Sequence, residues 1–395
     1  MRQYKIPAAF IRGGTSNAVV FKASDLPERA LWDEIFLAAI GSPDPYGRQL
    51  NGMGGGISSL SKVCVVGPPT HPDADVDYTF AQVAVDSATV DYGGNCGNMS
   101  SAIGPFAVDE GLVPTSGSQA LIRIHNTNTK KIIEARFELD EGFAAVDGMV
   151  DLPGVADTGA PVDLDYLSPG GAGTGALLPT GNVVDTLDIP GHGTIDASLV
   201  DAANPFVFVR AEAVGISGTE LPADLDANPD LMRHLEAIRA CAGVAMGYAP
   251  TPERISADFK SVPKIGIVAA PATAVLLSGE ALRESDMDLT ARMVSMGNIH
   301  RALPLTGVLG IAVAARIEGT VVHALIPNGA PGRSILRMAH PSGVVEAASI
   351  VEREHGQWVA RIASVRRTQR RLFDGYIYLA ASRVPGLAEQ QPAAD

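Results

Sequence analysis

The sequence predicts a mixed strand-and-helix protein built from two similar halves that face each other across a cleft. Three observations carry this expectation. The chain has 395 residues, enough at roughly 150 per domain for two or three cores. Its 42 glycines and 27 prolines, against 5% aromatic residues, suit short elements joined by turns rather than a helical bundle. Three segments of the first half also recur in the same order in the second. Asn17-Ala18-Val19-Val20-Phe21 matches Asn204-Pro205-Phe206-Val207-Phe208. Ser59-Leu60-Ser61-Lys62-Val63-Cys64-Val65-Val66 matches Ser261-Val262-Pro263-Lys264-Ile265-Gly266-Ile267-Val268. Cys96-Gly97-Asn98 matches Met296-Gly297-Asn298.

In chain order, residues 1–25 hold an extended segment, a Gly-rich turn at Arg12-Gly13-Gly14-Thr15-Ser16 and the strand Ala18-Val19-Val20-Phe21. Pro27 at a first helical turn and Gly41 at a stop bracket a helix whose apolar positions include Leu31, Ile35, Phe36 and Ile40. The run from Lys62 to Val66 suits a buried strand, and Val76, Tyr78 and Phe80 alternate like another. A small-residue helix follows Asn95-Cys96-Gly97-Asn98 as far as Glu110, despite Gly104-Pro105. Strands resume at Leu121 to Ile124 and Lys131 to Ile133. Residues 153–182 are rich in Gly and Pro and read as the connection, giving an N-terminal domain at 1–182 and a pseudo-repeat at 183–383. That second domain has strands at Phe206 to Val209 and Lys264 to Val268. Between them lies a helix capped by Asn228-Pro229, with Leu231, Leu235 and Ile238 inward. Residues 384–395 read as a frayed tail.

Composition excludes several classes of function. Hydrophobic residues make up 46% and charged ones 19%, too apolar for disorder. A net charge of -14 with few aromatics does not suit nucleic acid or anionic membranes, which need basic surfaces. Cys64, Cys96 and Cys241 are too few and scattered for a disulfide framework or a thiolate zinc site. The first ten residues lack a signal-peptide pattern, and the apolar uncharged stretch Ile265 to Gly279 is interrupted by Pro271. A cytoplasmic location is the expectation.

Two residues stand out chemically. Cys96, at a strand-to-helix junction, would sit at a helix N-terminus, where free N–H groups favour a thiolate and can hold a carboxylate. A buried structural cysteine is the commoner fate, but flanking Gly-Gly-Asn and Gly-Asn argue for close backbone approach. Lys62 opens an apolar strand after a glycine-rich segment, where desolvation could remove its proton near neutral pH; the bland alternative is a snorkelling surface lysine. Lys264 is its second-half equivalent, either a carboxylate anchor or a relic of duplication. The run Gly52-Met53-Gly54-Gly55-Gly56 fits neither GxGxxG nor a P-loop. It suits backbone N–H groups approaching an anion, as does Arg12-Gly13-Gly14-Thr15-Ser16 with its two hydroxyls. His71, His192 and His234 lie among polar or turn residues, and His300 and His340 could reach a cleft; no HxxxH or HExxH pairing for a metal exists. Arg366, Arg367, Arg370 and Arg371 read as a solvated basic surface.

Several of these motifs together closely resemble the PrpF family. They are Arg12-Gly13-Gly14-Thr15-Ser16, Gly41-Ser42-Pro43-Asp44, Gly52-Met53-Gly54-Gly55, Ser61-Lys62-Val63, Asn95-Cys96-Gly97-Asn98, Gly104-Pro105-Phe106-Ala107 and His340-Pro341-Ser342-Gly343. The resemblance implies a diaminopimelate-epimerase-like α+β fold: two pseudo-symmetric domains, each a sheet around a central helix, with the active site between them. It implies an isomerase of unsaturated di- or tricarboxylic acids, such as 2-methylaconitate cis-trans isomerase, 4-oxalomesaconate tautomerase or methylitaconate isomerase. It also assigns the catalytic pair to Lys62 and Cys96. Where the family continues with Lys-Gly, this chain has Asn17-Ala18, which removes a positive group.

The expected chemistry is a cofactor-free 1,3-allylic proton shift. If Met296 is the counterpart of Cys96, its thioether cannot exchange a proton, and both proton carriers come from the first half. The expected substrate-binding residues are Thr15, Ser16, Asn17, Gly54, Gly55, Gly97, Asn98, Lys264, Met296, Gly297, Asn298 and Ser342, with no metal. The partner is then a small unsaturated polycarboxylate, with a homodimer among the assemblies the sequence allows. A non-catalytic organic-acid-binding accessory protein and a racemase or epimerase of the same fold are the rival readings.

Overall fold

Hairpins and buried helices follow directly from the residue pattern. The computed structural model describes residues 3–295, 297–326 and 335–390. Strands β1 (Gln3–Gly13) and β2 (Ser16–Lys22) form an antiparallel hairpin in which Gly13 opposes Ser16 and Arg12 opposes Asn17. Helix α1 (Trp32–Ile40) stops at Gly41, whose φ of 86° is the left-handed conformation that ends helices. Its Ile35, Phe36, Ala39 and Ile40 are buried against the outer face of the first sheet, with Val19, Phe21, Val63 and Val65. Strand β3 (Lys62–Gly67), buried throughout, lies parallel to β2 and antiparallel to β4 (Val76–Val83), which pairs in turn with the short β5 (Val90–Asp91). Helix α2 (Gly97–Asp109), rich in small residues and without a charged one before Asp109, is buried from Gly97 to Val108. Strands β6 (Gln119–Asn126), β7 (Lys131–Asp140) and β8 (Val162–Leu167) complete the sheet around it. Part of the Gly/Pro-rich segment at 153–182, read as a connection, is therefore a strand of the sheet.

The second half repeats the plan. Strands β9 (Asp185–Ile189), β10 (Gly193–Ala202) and β11 (Asn204–Arg210) run antiparallel. Helix α3 (Pro229–Ala245), capped by the Asn228 side chain accepting from Leu231 N–H at 3.1 Å, covers the outer face. Strand β12 (Lys264–Ala269) is parallel to β11, and β13 (Leu289–Ser295) turns through β14 (Asn298–Ile299). Helix α4 (Leu305–Ala314) is wholly buried inside β15 (Ile335–His340), β16 (Gly343–Glu354) and β17 (Gln357–Arg367). One apolar core runs from α2 and its strands into α4 and its strands.

Two features depart from the sequence reading. Strand β18 (Gln369–Ala380) returns to pair with β1 from Gln3↔Ala380 to Gly13↔Gln369, while β17 pairs with β8. Residues 369–380, assigned to the second half, are thus a strand of the first. The expected frayed tail continues into α5 (Pro385–Gln390), with Val384 and Leu387 buried and the N–H groups of Gly386 and Leu387 donating to Glu34. Burial of two apolar side chains and a satisfied carboxylate hold it in place; residues 391–395 lie outside the described residues.

The internal repeat is real, but the structure shifts two of its correspondences. Val19 pairs with Val63, whereas Val207, not Phe206, pairs with Ile265. The hairpin position of Ser16 therefore belongs to Asn204, one residue from the sequence alignment. A one-residue slip exchanges the two faces of a strand, and Phe206 and Phe208 accordingly lie in the central core while Val207 and Val209 face α3. Gly297 and Asn298 belong to the β13–β14 hairpin and not to a helix start; Met296 lies outside the described residues. The residue that caps the second central helix as Cys96 caps the first is Pro304. It follows Lys264 by 40 positions, where Cys96 follows Lys62 by 34, so an ungapped comparison stops short of it.

Candidate active site

Lys62 is positioned by strand register. It opens β3 directly opposite Gln82 of β4, and its Nζ lies 2.6 Å from Gln82 Oε1. Gln82 Nε2 donates to the Ser58 and Ser61 carbonyls at 3.0 Å each, which turns the amide oxygen towards the lysine. The Phe80 ring lies 5.3 Å from the same Nζ. Lys62 is only 7% exposed, and this burial holds its pKa below the ordinary lysine value, with the nearby Cys96 and Cys64 acting in the opposite sense.

Cys96 is the N-cap residue of α2. Its carbonyl accepts from Ser100 N–H at 3.2 Å and from Tyr78 Oη–H at 3.3 Å, while its side chain makes no capping bond. Ser100 is the first residue to close a helical hydrogen bond, so the N–H groups of Gly97, Asn98 and Met99 have none within the helix. Position 97 has no room for a side chain unless Leu305 moves. A Cβ there would lie 2.5 Å from Leu305 Cδ2, because the N-terminus of α2 meets that of α4. Glycines 13 and 14 serve the same junction, since Cβ atoms on them would strike Asn98 O at 2.7 Å and Asn98 Oδ1 at 2.3 Å.

The second half closes the pocket. Val308 N–H is the first to bond within α4, to Pro304 O at 3.0 Å, leaving those of Leu305, Thr306 and Gly307 without a helical partner. Asn204 clamps the halves together: its Oδ1 accepts from Asn95 N–H and its Nδ2 donates to Asn95 O, both at 3.0 Å, with Thr306 Oγ1 3.2 Å from Nδ2. Lys264 Nζ donates to Ser261 O at 2.8 Å. Burial and the Lys62 charge push its pKa down to about 8. His300 Nδ1 lies 2.8 Å from Ala302 O, and burial together with Lys62 pushes this imidazole down to about 4, so it is neutral.

Ser16, Lys62, Gln82, Cys96, Lys264 and His300 thus line one small cavity of about 30 Å³, together with Gly97, Asn98 and Thr306. A larger cavity of about 420 Å³ adjoins it, with Gln82 and Lys264 in both walls. Of the residues expected to bind substrate, Ser16, Gly97, Asn98 and Lys264 line the inner pocket, and Gly297 and Asn298 line the outer one. Thr15 stands behind Asn98, accepting from its Nδ2 at 3.1 Å. Asn17 pairs with Arg12 in the β1–β2 hairpin and lines neither cavity.

Gly54, Gly55 and Ser342 also line neither cavity. Gly54 N–H donates to Ile40 O at 3.1 Å and Gly55 N–H to Leu60 O at 3.2 Å, so neither is available to an anion. A Cβ on Gly54 would lie 2.3 Å from Gln49 Oε1; the run is glycine-rich because this loop closes tightly on the end of α1. Ser342 Oγ donates to Arg301 O at 2.7 Å. The basic run at 366–371 is not a uniform solvated surface either. Arg366 pairs with Asp163 outside, whereas Arg367 is buried, pushed down to about 10 by that burial, with its Nε 3.3 Å from Asn98 Oδ1. Gln82 and Thr306, which also line the inner pocket, carry no local sequence signal for their place there.

Two pseudo-symmetric units, each a sheet around one buried helix, with the pocket where the helix N-termini meet, define the diaminopimelate-epimerase-like fold. A probable proline racemase from Agrobacterium radiobacter K84 aligns with a TM-score of 0.55 over 95% of this chain and 94% of its own, at 11% identity, a likeness of fold alone. Within this fold the chain belongs to the PrpF family, whose profile, described as PrpF protein, matches residues 3–380. The 3-methylitaconate isomerase of Eubacterium barkeri is 41% identical over 97% of this chain and 99% of its own. The 2-methyl-aconitate isomerase of Cupriavidus necator is 38% identical over 97% and 98%. A crystal structure of methylitaconate-delta-isomerase superposes with a TM-score of 0.79 at 40% identity, covering both chains fully. The chain is an isomerase of this family.

Proposed function

We propose that the protein catalyses a cofactor-independent 1,3-allylic proton shift in an unsaturated di- or tricarboxylic acid such as 2-methylaconitate or 4-oxalomesaconate, with Lys62 and Cys96 as the acid–base pair. The observation that carries this reading is the small pocket that Lys62 and Cys96 line together at the meeting point of two helix N-termini. The free amine of Lys62, favoured by burial, takes the γ-proton. The C–H electron pair forms the new double bond, and charge moves through the old one into an adjoining carboxylate as a dienolate. The Cys96 thiol returns a proton to the α-carbon, and its thiolate recovers the proton held on Lys62. Backbone N–H groups at the two helix starts and the Lys62 ammonium stabilise the dienolate in a site with little water. Pro304, where a second thiol would be needed for inversion at one carbon, has no exchangeable proton, which supports a shift over racemisation.

The test is NMR or ultraviolet monitoring of purified protein against unsaturated polycarboxylates. Turnover in D2O is expected to deposit deuterium at the α-carbon, and Lys62→Ala or Cys96→Ser to lower kcat by about 100-fold or more. Full activity in both variants, or a product free of solvent deuterium, removes this pair from the chemistry. Binding without any isomerisation would leave an organic-acid-binding protein.

A further inference from the structure

The inner pocket cannot contain a whole substrate of the proposed class. Its volume is about 30 Å³, whereas one water needs roughly 10–15 Å³ on this measure. It admits the reacting carbons with a carboxylate, and the remainder must extend past Gln82 and Lys264 into the outer cavity. That cavity, at about 420 Å³, lies within the usual range of roughly 300–1,000 Å³ for small-molecule sites. A dicarboxylate reaching the junction with its second carboxylate would leave it empty.

The charges around the outer cavity favour an anion, in a protein whose net charge is -14. Its lining includes three cations, Arg239, Lys260 and Lys264, against two carboxylates, Asp86 and Glu236. Arg239 and Glu236 hold each other through two hydrogen bonds of 2.7 and 2.8 Å, and Arg239 also donates to Phe259 O. Lys264 keeps two ammonium hydrogens beyond the one donated to Ser261 O, and Lys260 stands exposed at the rim.

We propose that the outer cavity is a subsite for a third anionic arm, recognised by Lys264 at its inner end and Lys260 at its rim, so that the substrate is a tricarboxylate rather than a dicarboxylate. This rests on the reading of the inner pocket as an allylic isomerase site. The experiment compares kcat/KM for unsaturated tricarboxylates and dicarboxylates in the wild type, Lys264→Met, Lys264→Arg, Lys260→Glu and Asn298→Trp, the last filling the cavity from its hairpin wall. In parallel, calorimetry measures binding of the unreactive propane-1,2,3-tricarboxylate and 2-methylbutanedioate. The wild type is expected to prefer tricarboxylates in both measurements. The preference should fall about ten-fold in Lys264→Met, several-fold in Lys260→Glu and Asn298→Trp, and persist in Lys264→Arg, as loss of a charge-assisted hydrogen bond dictates. Equal handling of both acids by the wild type, or a preference untouched by all the variants, overturns the subsite even if isomerisation is observed. A tricarboxylate preference in binding that depends on these lysines upholds the subsite even if no acid is isomerised, in which case only the proposed reaction falls.

Discussion

Gln82 holds Lys62 in place from the facing strand. Its oxygen meets the lysine at 2.6 Å because two carbonyls occupy its nitrogen. Converting that oxygen to a carboxylate favours the ammonium form, so Gln82→Glu should move the limb of kcat/KM that rises with pH about one unit or more higher. Gln82→Leu should move it lower and reduce kcat. A pH–rate profile distinguishes these outcomes, and a limb that responds to neither substitution would mean that Lys62 is not the titrating base. Lys62 and Cys96 were legible in the sequence because each stands where a polar Gly-rich turn gives way to a regular element. Gln82 was not, since its role depends on an antiparallel register that brings residues 20 positions apart face to face. Arg367 was hidden for a related reason: alternation along β17 sends Arg366 outward and Arg367 inward, and a run of arginines has no pattern that reveals it.

At the scale of elements, the pocket depends on how closely two helix starts approach. Gly97→Ala would place a Cβ 2.5 Å from Leu305 Cδ2. Because Leu305 is itself buried, the expected cost is about 1–3 kcal/mol of stability, read by denaturant titration, with reduced activity. Adding Leu305→Ala should recover part of the activity by restoring room at the junction; no recovery would place the conflict elsewhere. The strands carrying the repeat were visible as apolar runs, but their correspondence was not. The connection from Lys264 to the second helix start contains extra residues, and a hairpin with its own Gly-Asn pair lies where the helix was expected. A strand's apolar residues also fit two registers equally well until its neighbours decide which face is buried.

For the whole molecule, the half-buried His300 and the buried His340 tie stability to pH. His300 and His340 are pushed down to about 4 and about 3 from 6.5, by burial first and by positive neighbours second. Their folded pKa values lie below the unfolded one, so the unfolded chain takes up protons the folded chain refuses. Their contribution is complete above pH 6.5 and is lost as pH falls towards 4 and 3. The thermal midpoint should therefore fall more steeply between pH 7 and 4 in the wild type than in His340→Gln, and parallel curves would refute that source. The fold class and the duplication were legible from length, turn residues and repeats. The return of β18 was not, because pairing between Gln3 and Ala380 spans almost the entire chain and leaves no local mark on either segment.

That returning strand also sets an order of events during synthesis. The first half leaves the ribosome with β1 unpaired along one edge, and its missing neighbour, residues 369–380, is made only after the strands and central helix of the second half. Everything between 185 and 367 must emerge before the first sheet is complete. Until then β1 offers an open row of backbone donors and acceptors, the kind of edge that pairs with other chains when left uncovered. The nascent protein is thus prone to aggregation until residues 369–380 emerge, and their pairing along β1 is the contact that ends the exposure.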